Sequence, residues 1–346
     1  MRTERRSKRK KGERIRAGLC VLLLAGILSG CSPFNPAAVY EAGRQDEENE
    51  NLISVGFSQL GSESIWRTAN TNSVRETLTE ENGYFLLYDN ARQMQDKQIK
   101  ALRSFISQRV SVIVFCPVKE TGWDTVLEEA KEAGIPVIVL DRAISVSDDS
   151  LYTCFVGEDM QEEGAKAGRW LEQNLEEAGK GEEDINIVVL QGTEGSSAQL
   201  GRTSGFNAVA ARHRNWHLTA QNGGDFTEAK GKEVMERFLK EFEDIDVVVA
   251  QNDDMAFGAI EALEEAGKKP GSDVIVISFD GSKKALQYVL DGKINVDVEC
   301  NPMSGPLLSE VIRKIEAGMQ VDKEYYMEEN VFTAENAAQY LEDRSY

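Results

Sequence analysis

Two doubly wound α/β lobes with parallel sheets are what this sequence predicts, and three observations predict them. Short apolar runs alternate with helical segments from Leu52 almost to the end of the chain. The alternation comes in two series that start alike, each with a strand, a Gly/Ser-rich loop and a helix: Val55-Gly56-Phe57-Ser58-Gln59-Leu60-Gly61-Ser62 and Val189-Leu190-Gln191-Gly192-Thr193-Glu194-Gly195-Ser196. The length beyond an N-terminal leader, residues 31–346, suits two domains rather than one.

The leader comes first in the chain. Arg5, Arg6, Lys8, Arg9, Lys10, Lys11, Arg14 and Arg16 precede an apolar stretch from Ala17 through Leu28. That stretch is shorter than the roughly 20 residues a stable transmembrane helix needs. A basic segment, a short apolar segment and then small residues form the order of a secretory signal. Leu28-Ser29-Gly30-Cys31 resembles the lipobox of bacterial lipoproteins, so residues 1–30 are expected to be removed and Cys31 to carry lipid. Residues 31–50, with Pro33, Pro36 and the acidic run Asp46-Glu47-Glu48, show no periodicity and read as a flexible tether. A lipid and a spacer would hold the folded part at an extracytoplasmic membrane surface without inserting it.

The first series runs through strand Leu52–Phe57, helical residues Ser64–Asn82, strand Tyr84–Tyr88, helix Gln93–Gln108, strand Val112–Phe115, helix Trp123–Ala133 and strand Val137–Leu140. After Thr153–Val156 the second follows, with helix Met160–Leu175, strand Ile185–Leu190, helix Ser196–Arg212 and strand His217–Gln221. It goes on through helix Thr227–Phe242, strand Val247–Ala250, helix Asp253–Ala266, strand Val274–Phe279 and helix Ser282–Leu290. Such β-rich runs separated by helices are the pattern of parallel βαβ units. A third crossing is expected near Asn295–Glu299, with helix Ser304–Ala317 returning to the first lobe and the tail Thr333–Leu341 finishing on the second. The lobes are thus expected at residues 51–156 plus 300–328 and 157–299 plus 329–346.

Composition removes several classes of function. The whole chain carries a net charge of −20, but residues 1–30 hold nine of its 39 basic and two of its 59 acidic residues. The remainder has 30 basic against 57 acidic residues, a net of −27. A body so acidic repels nucleic acid, which argues against a repressor of similar fold, as does the secretory leader. Cys20, Cys31, Cys116, Cys154 and Cys300 match no zinc or disulfide spacing, and His213 and His217 are the only histidines, so no metal and no cofactor is expected. No Walker loop occurs, so the chain itself hydrolyses no ATP.

Ligands of doubly wound sheets sit beyond the carboxyl ends of the strands. At those ends stand Asp141-Arg142, Asn252-Asp253 and Asp280-Gly281; Trp66 and Arg67 open the first helix, Arg202 lies early in the helix after Ile185–Leu190, and Phe226 follows the Asn222-Gly223-Gly224-Asp225 turn. A sugar hydroxyl is donor and acceptor at once, and is best held between a carboxylate or amide oxygen and a guanidinium or amide N–H. An aromatic plane such as Trp66 or Phe226 suits the C–H face of the ring. The plainer readings are a helix N-cap for Asp253, an Asp141–Arg142 surface pair, a core Trp66 and a solvated Arg202.

These residues carry a resemblance. Val55 to Ser64 with Trp66-Arg67, Val139-Leu140-Asp141-Arg142, Gly224-Asp225-Phe226-Thr227, Lys230 to Glu236, Asn252-Asp253-Asp254-Met255 and Asp280-Gly281 resemble, in order and spacing, galactofuranose-binding proteins of ribose-type ABC importers. The similarity covers Ile53 to Gly318. It implies the type I periplasmic-binding-protein-like fold with a three-segment hinge, and a monomer that closes on one monosaccharide and passes it to an ABC permease and its ATPase. It also implies ligand contacts at Trp66, Arg67, Asp141, Arg142, Arg202, Phe226, Asn252 and Asp280, with Glu63 or Ser64 as a further polar contact. Two positions depart from the ribose binders: Cys116 stands where they have Asn, and Cys300 where they have Gln, so Glu299 is a candidate to take over the latter role. These departures and Trp66-Arg67 argue against ribose. A glycosidase with Asp141 and Asp280 as its carboxyl pair is disfavoured because Arg142 and Arg202 should keep both ionised. A sensory receptor presenting its sugar to a membrane kinase is the alternative to an importer.

Overall fold

The computed structural model describes residues 52–346; the expected leader, the expected acylation site Cys31 and the expected tether lie outside the described residues. Twelve strands and ten α-helices follow one another among them. The first sheet collects β1 (Ile53–Gln59), β2 (Tyr84–Asn90), β3 (Val112–Phe115), β4 (Val137–Asp141) and β5 (Cys154–Gly157), joined late by β11 (Glu324–Tyr326), in the order β11-β5-β4-β3-β1-β2. The second collects β6 (Ile185–Gln191), β7 (Trp216–Gly223), β8 (Val247–Ala250), β9 (Ile275–Asp280), β10 (Val296–Glu299) and β12 (Val331–Phe332), in the order β12-β10-β9-β8-β6-β7. The two orders are the same pattern, which is why the two halves of the sequence open alike. Every strand pair is parallel except β10–β12.

Strand periodicity sorts each sheet into two buried faces. Val55, Phe57, Val112, Val114, Ile138 and Leu140 pack on one side of the first sheet, and Ile113, Phe115, Val137 and Val139 on the other. In the second, Val188, Leu190, Val248 and Ala250 oppose Ile187, Val189, Val247 and Val249. Burying both faces requires covering helices: α1 (Ile65–Thr77), α2 (Gln95–Gln108) and α3 (Asp124–Glu132) in the first lobe, with α4 (Met160–Glu177), α5 (Ser197–Ala210), α6 (Glu228–Glu241), α7 (Asp253–Glu265) and α8 (Lys283–Leu290) in the second. None of the described helices is long and apolar enough to cross a membrane.

The chain passes between the lobes three times: after β5, after β10 and between β11 and β12. After the second passage α9 (Gly305–Glu316) returns to α1, where the Gly305 N–H donates to Ser73 Oγ at 3.0 Å and Leu308, Val311 and Ile312 complete the core around Val55 and Phe57. The tail helix α10 (Ala337–Leu341) rests on α8.

Three local expectations are corrected. The helical stretch Ser64–Asn82 ends at Thr77, and Thr79 starts a separate short turn over Glu80–Asn82. Asn222 and Gly223 continue β7 beside Leu190 and Gln191 instead of opening the turn. The N-cap of α7 is Asn252, whose Oδ1 accepts from the Met255 N–H at 3.0 Å. Asp253 is the first helical residue, fully buried, accepting from Ser278 Oγ at 2.6 Å and from the Ser282 N–H at 2.8 Å.

Candidate functional site

The groove between the lobes contains a small cavity of about 30 Å³, and ten side chains singled out in the sequence line it: Glu63, Ser64, Trp66, Arg67, Asp141, Arg142, Arg202, Phe226, Asn252 and Asp280. Met160, Ala198 and Cys300 complete its wall. The strand ends and helix starts deliver these groups because both sheets turn their carboxyl edges toward the groove. Ser64 caps α1 by accepting from the Arg67 N–H at 3.0 Å, which fixes the turn that carries Trp66 and Arg67.

Backbone conformation aims several of them. Asp141 has φ 62°, Phe226 φ 58° and Asp280 φ 116°. Residues other than glycine rarely adopt positive φ, and each such position costs on the order of 1–3 kcal/mol. The surrounding sheets hold this strain, and it falls on the last residues of β4 and β9 and in the loop after β7, where the chain turns side chains into the groove. Gly192 supports one of them: a Cβ there would lie 1.8 Å from Phe226 Cζ, so only glycine leaves room for the ring.

On the first lobe, Arg67 ties the polar groups together. Its Nη1 lies 2.7 Å from Asp141 Oδ2 and its Nε 3.2 Å from Glu63 Oε1, while its guanidinium stands 4.6 Å from the Trp66 ring centre. Burial opposes the charge of Arg67, but Asp141 and its other neighbours outweigh it and hold its pKa well above the usual value. Cys116 sits behind this pair. Burial pushes its thiol pKa up, so the S–H persists and donates to Asp141 Oδ2 at 2.8 Å. Asp141 pairs with Arg67 and not with its neighbour Arg142, contrary to the surface-pair reading; both Asp141 and Arg142 are buried.

On the second lobe, Arg202 is 3 % exposed, and its Nε meets Glu163 Oε2 at 2.6 Å. Its Nη2 is 3.6 Å from Asp280 Oδ1, and its Nη1 donates to the Gln251 carbonyl. The expectation that Arg202 keeps Asp280 ionised is corrected: burial pushes the Asp280 pKa well up, and Arg202 only partly opposes it. Asn252 donates Nδ2 to the Phe226 carbonyl at 3.3 Å, linking two wall residues.

Trp66 belongs to both lobes in effect. Its indole N–H donates to the Cys300 carbonyl at 2.6 Å and its ring joins the core of the second lobe. Two more bonds cross the groove, from the Ile65 N–H to Asp254 Oδ2 at 3.3 Å and from the Ala143 N–H to Ser197 Oγ at 2.9 Å. Arg142 of the first lobe stands 5.4 Å from the ring centre of Phe226 on the second. The lobes are closed on one another in this arrangement. Inside, Arg142 Nε and Nη1 and Glu63 Oε2 are buried without a hydrogen-bond partner in the protein. Buried polar groups of this kind are costly unless a partner satisfies them. A guanidinium edge and a carboxylate oxygen facing one small cavity suit hydroxyl groups, which can bond to both.

Glu299 is the expected contact that the structure places elsewhere. Its carboxylate accepts from the Asn330 N–H at 2.9 Å and from Arg344 Nη1 at 2.6 Å, on the tail side of β10. Cys300 lines the cavity in its stead.

Glu163, which sequence reasoning passed over, also anchors a buried acidic group at the lobe passages. Glu163, Cys300 and Glu329 bring their ligand atoms within 4.8 Å of one another. Arg202 already holds Glu163, so a metal ion there would meet a guanidinium, and a shared proton fits better. Burial, then Glu163, push the Glu329 pKa up to about 10. The folded protein therefore keeps a proton that the unfolded chain, with a Glu pKa of about 4.3, releases. Glu329 thus lowers stability progressively as pH rises from about 5 toward 10. Glu329→Gln is expected to raise the melting midpoint by a few degrees at pH 9, leave it nearly unchanged at pH 5 and flatten the profile between. Parallel wild-type and mutant profiles would refute the shared proton.

Comparison with known proteins matches residues 55–302 to the family described as periplasmic binding protein domain. The galactofuranose-binding protein YtfQ of Escherichia coli (strain K12) is 41 % identical over 296 residues, covering 84 % of this chain and 91 % of the relative. A solved structure from Mycobacterium smegmatis in complex with β-D-fucofuranose is 45 % identical with a TM-score of 0.81, covering 85 % of this chain and 95 % of that one. The periplasmic binding protein component of the arabinose ABC transporter from Shewanella sp. ANA-3, bound to α- and β-L-arabinofuranose, is 42 % identical with a TM-score of 0.79, covering 84 % and 95 %.

Proposed function

We propose, from the premise that this chain belongs to the periplasmic binding protein domain family, that it is an extracytoplasmic receptor, anchored through a lipid on Cys31, which closes on one monosaccharide in its furanose form and hands it to an ABC permease. Its relatives are solute-binding proteins and not enzymes, and nothing in the proposed cycle changes the sugar chemically. The observation that carries this reading is the closed groove itself, where Trp66, Arg67, Asp141 and Arg142 from one lobe meet Arg202, Phe226, Asn252 and Asp280 from the other.

A ligand shifts an open–closed equilibrium only through its differential affinity for the two states. One that touches both lobes makes its full set of contacts only when they close. Arg142 with its two unpartnered nitrogens and Glu63 with its free oxygen supply the donors and acceptors, while Trp66 and Phe226 supply planes for the C–H faces. The furanose preference rests on the relatives named above, whose solved complexes hold five-membered-ring sugars.

The test is a melting and calorimetry series with D-galactose, D-fucose, L-arabinose and D-ribose, each equilibrated among its ring forms. At least one of the first three is expected to raise the melting midpoint and bind in a saturable way, more tightly than ribose. If no sugar stabilises the protein, the receptor reading fails.

A further inference from the structure

A second cavity, of about 180 Å³, adjoins the sugar groove and shares Asp141 and Met160 with it as walls. Its lining combines three aromatic side chains, Tyr152, Phe155 and Tyr326, with three further acids, Glu158, Asp159 and Glu324, and includes no lysine or arginine. From that combination we propose that this cavity is a second ligand site, which takes a small organic ammonium ion.

Glu158 makes the strongest demand for such a ligand. It is 3 % exposed, and both its carboxylate oxygens are buried without a hydrogen-bond partner in the protein. Its acidic companions are engaged: Asp159 caps α4 by accepting from the Glu162 N–H at 2.9 Å, and Glu324 accepts from the Tyr326 hydroxyl at 3.0 Å. Burial, and then the nearby Asp141 and Glu329, push its pKa well up, so the empty site holds it as the neutral acid, and a cation bearing N–H or polarised C–H groups is what would let it ionise and find partners. Phe155 and Tyr326 both line the cavity, with ring centres 6.0 Å apart and tilted by 59°, and aromatic rings attract ammonium groups. Tyr152 already shows the preference, since Lys323 Nζ rests 3.2 Å from the centre of its ring while donating to the Asp149 and Tyr152 carbonyls.

The alternatives fit less well. A bare divalent cation such as calcium needs six to eight oxygens at about 2.3–2.6 Å, and a wide chamber with aromatic walls cannot gather them. An anion would meet Glu158, Asp159 and Glu324 with no positive group in the lining. A neutral apolar molecule would fill the space but leave Glu158 as unsatisfied as before. Because Asp141 and Met160 wall both chambers, occupancy of the second should alter sugar affinity in the first; the site itself does not depend on the sugar reading.

The experiment is calorimetry on the purified full chain with ethanolamine, choline and 3,3-dimethylbutan-1-ol, the last a neutral isostere of choline. At least one ammonium compound is expected to bind saturably, and the neutral alcohol at least about tenfold more weakly than choline. Glu158→Gln is expected to weaken ammonium binding by at least about tenfold. Tyr326→Leu, at a position 50 % exposed and so without risk to folding, should weaken it too. The inference is overturned if neither ammonium compound binds, if the neutral isostere binds as well as choline, or if both variants bind like the wild type.

Discussion

Asp141→Asn is expected to abolish sugar-induced stabilisation and to raise the sugar dissociation constant at least about 100-fold. Asparagine tolerates the left-handed backbone that Asp141 adopts at φ 62°, so the substitution removes charge without moving the chain. The carboxylate has two tasks: it holds Arg67 Nη1 at 2.7 Å and accepts the Cys116 thiol at 2.8 Å. Both contacts fall on Oδ2, so an amide oxygen can keep them, but the charge that strengthens them is gone and the NH₂ puts a donor where Oδ1 is an acceptor. Hydrogen bonds to charged groups contribute about 1.5–3 kcal/mol each, so turning a carboxylate acceptor for the sugar into a donor reaches the 100-fold level. Arg67 keeps Glu63 at 3.2 Å, so the sugar-free protein should fold with a lowered midpoint. The check is the sugar-dependent shift in melting together with calorimetry. A variant that responds to sugar like the wild type would show that Asp141 merely packs Arg67.

Gly205→Ala is expected to have the largest effect on stability. Helices α4 and α5 touch backbone to backbone at this point: a Cβ on Gly205 would lie 1.9 Å from the Gln161 carbonyl oxygen and 2.7 Å from the Ala165 nitrogen. The reciprocal position is equally tight, since a Cβ on Gly164 would lie 2.3 Å from the Arg202 carbonyl oxygen. Backbone atoms cannot swing aside as a side chain can, so the helices must separate. Overpacking of this kind costs about 1–3 kcal/mol and sometimes more, which for a protein of this size is a fall of several degrees in melting midpoint. The same shift carries Arg202 on α5 away from Glu163 on α4, now 2.6 Å apart, so sugar affinity should fall as well. Scanning calorimetry decides the matter, and an unchanged midpoint would mean that the two helices slide past each other freely.

The parts of this fold that announce themselves in sequence are those set by local rules. Asp141, Asn252 and Asp280 were legible as site candidates because each stands at or just beyond the end of an apolar run, where a parallel sheet opens to its ligand. Trp66, Arg67 and Arg202 were legible because a helix start follows the same strand edge. Glu163 was not, because its burial follows from the close approach of α4 and α5 through Gly164 and Gly205, a tertiary fact with no local signature. Cys116 was noticed only as a departure from relatives; its thiol bond to Asp141 depends on two strands lying side by side. Glu299 misled because neighbours in a strand look alike in sequence yet point to opposite faces. Its side chain turns toward Asn330 and Arg344 of the tail, whose location no periodicity reveals. Strands β11 and β12, three and two residues long, carry too little pattern to stand out at all.

The threefold passage of the chain between its lobes has a consequence for the order of assembly. The first sheet lacks its β11 edge, and its Val55–Phe57 face lacks Leu308, Val311 and Ile312, until nearly the whole polypeptide has been made. Contacts so distant in sequence form late, because a long loop must close before they repay its entropy. A nascent chain of this topology cannot settle its first half early. That delay suits a polypeptide destined, as proposed, to be threaded through a membrane channel before it acquires its final shape.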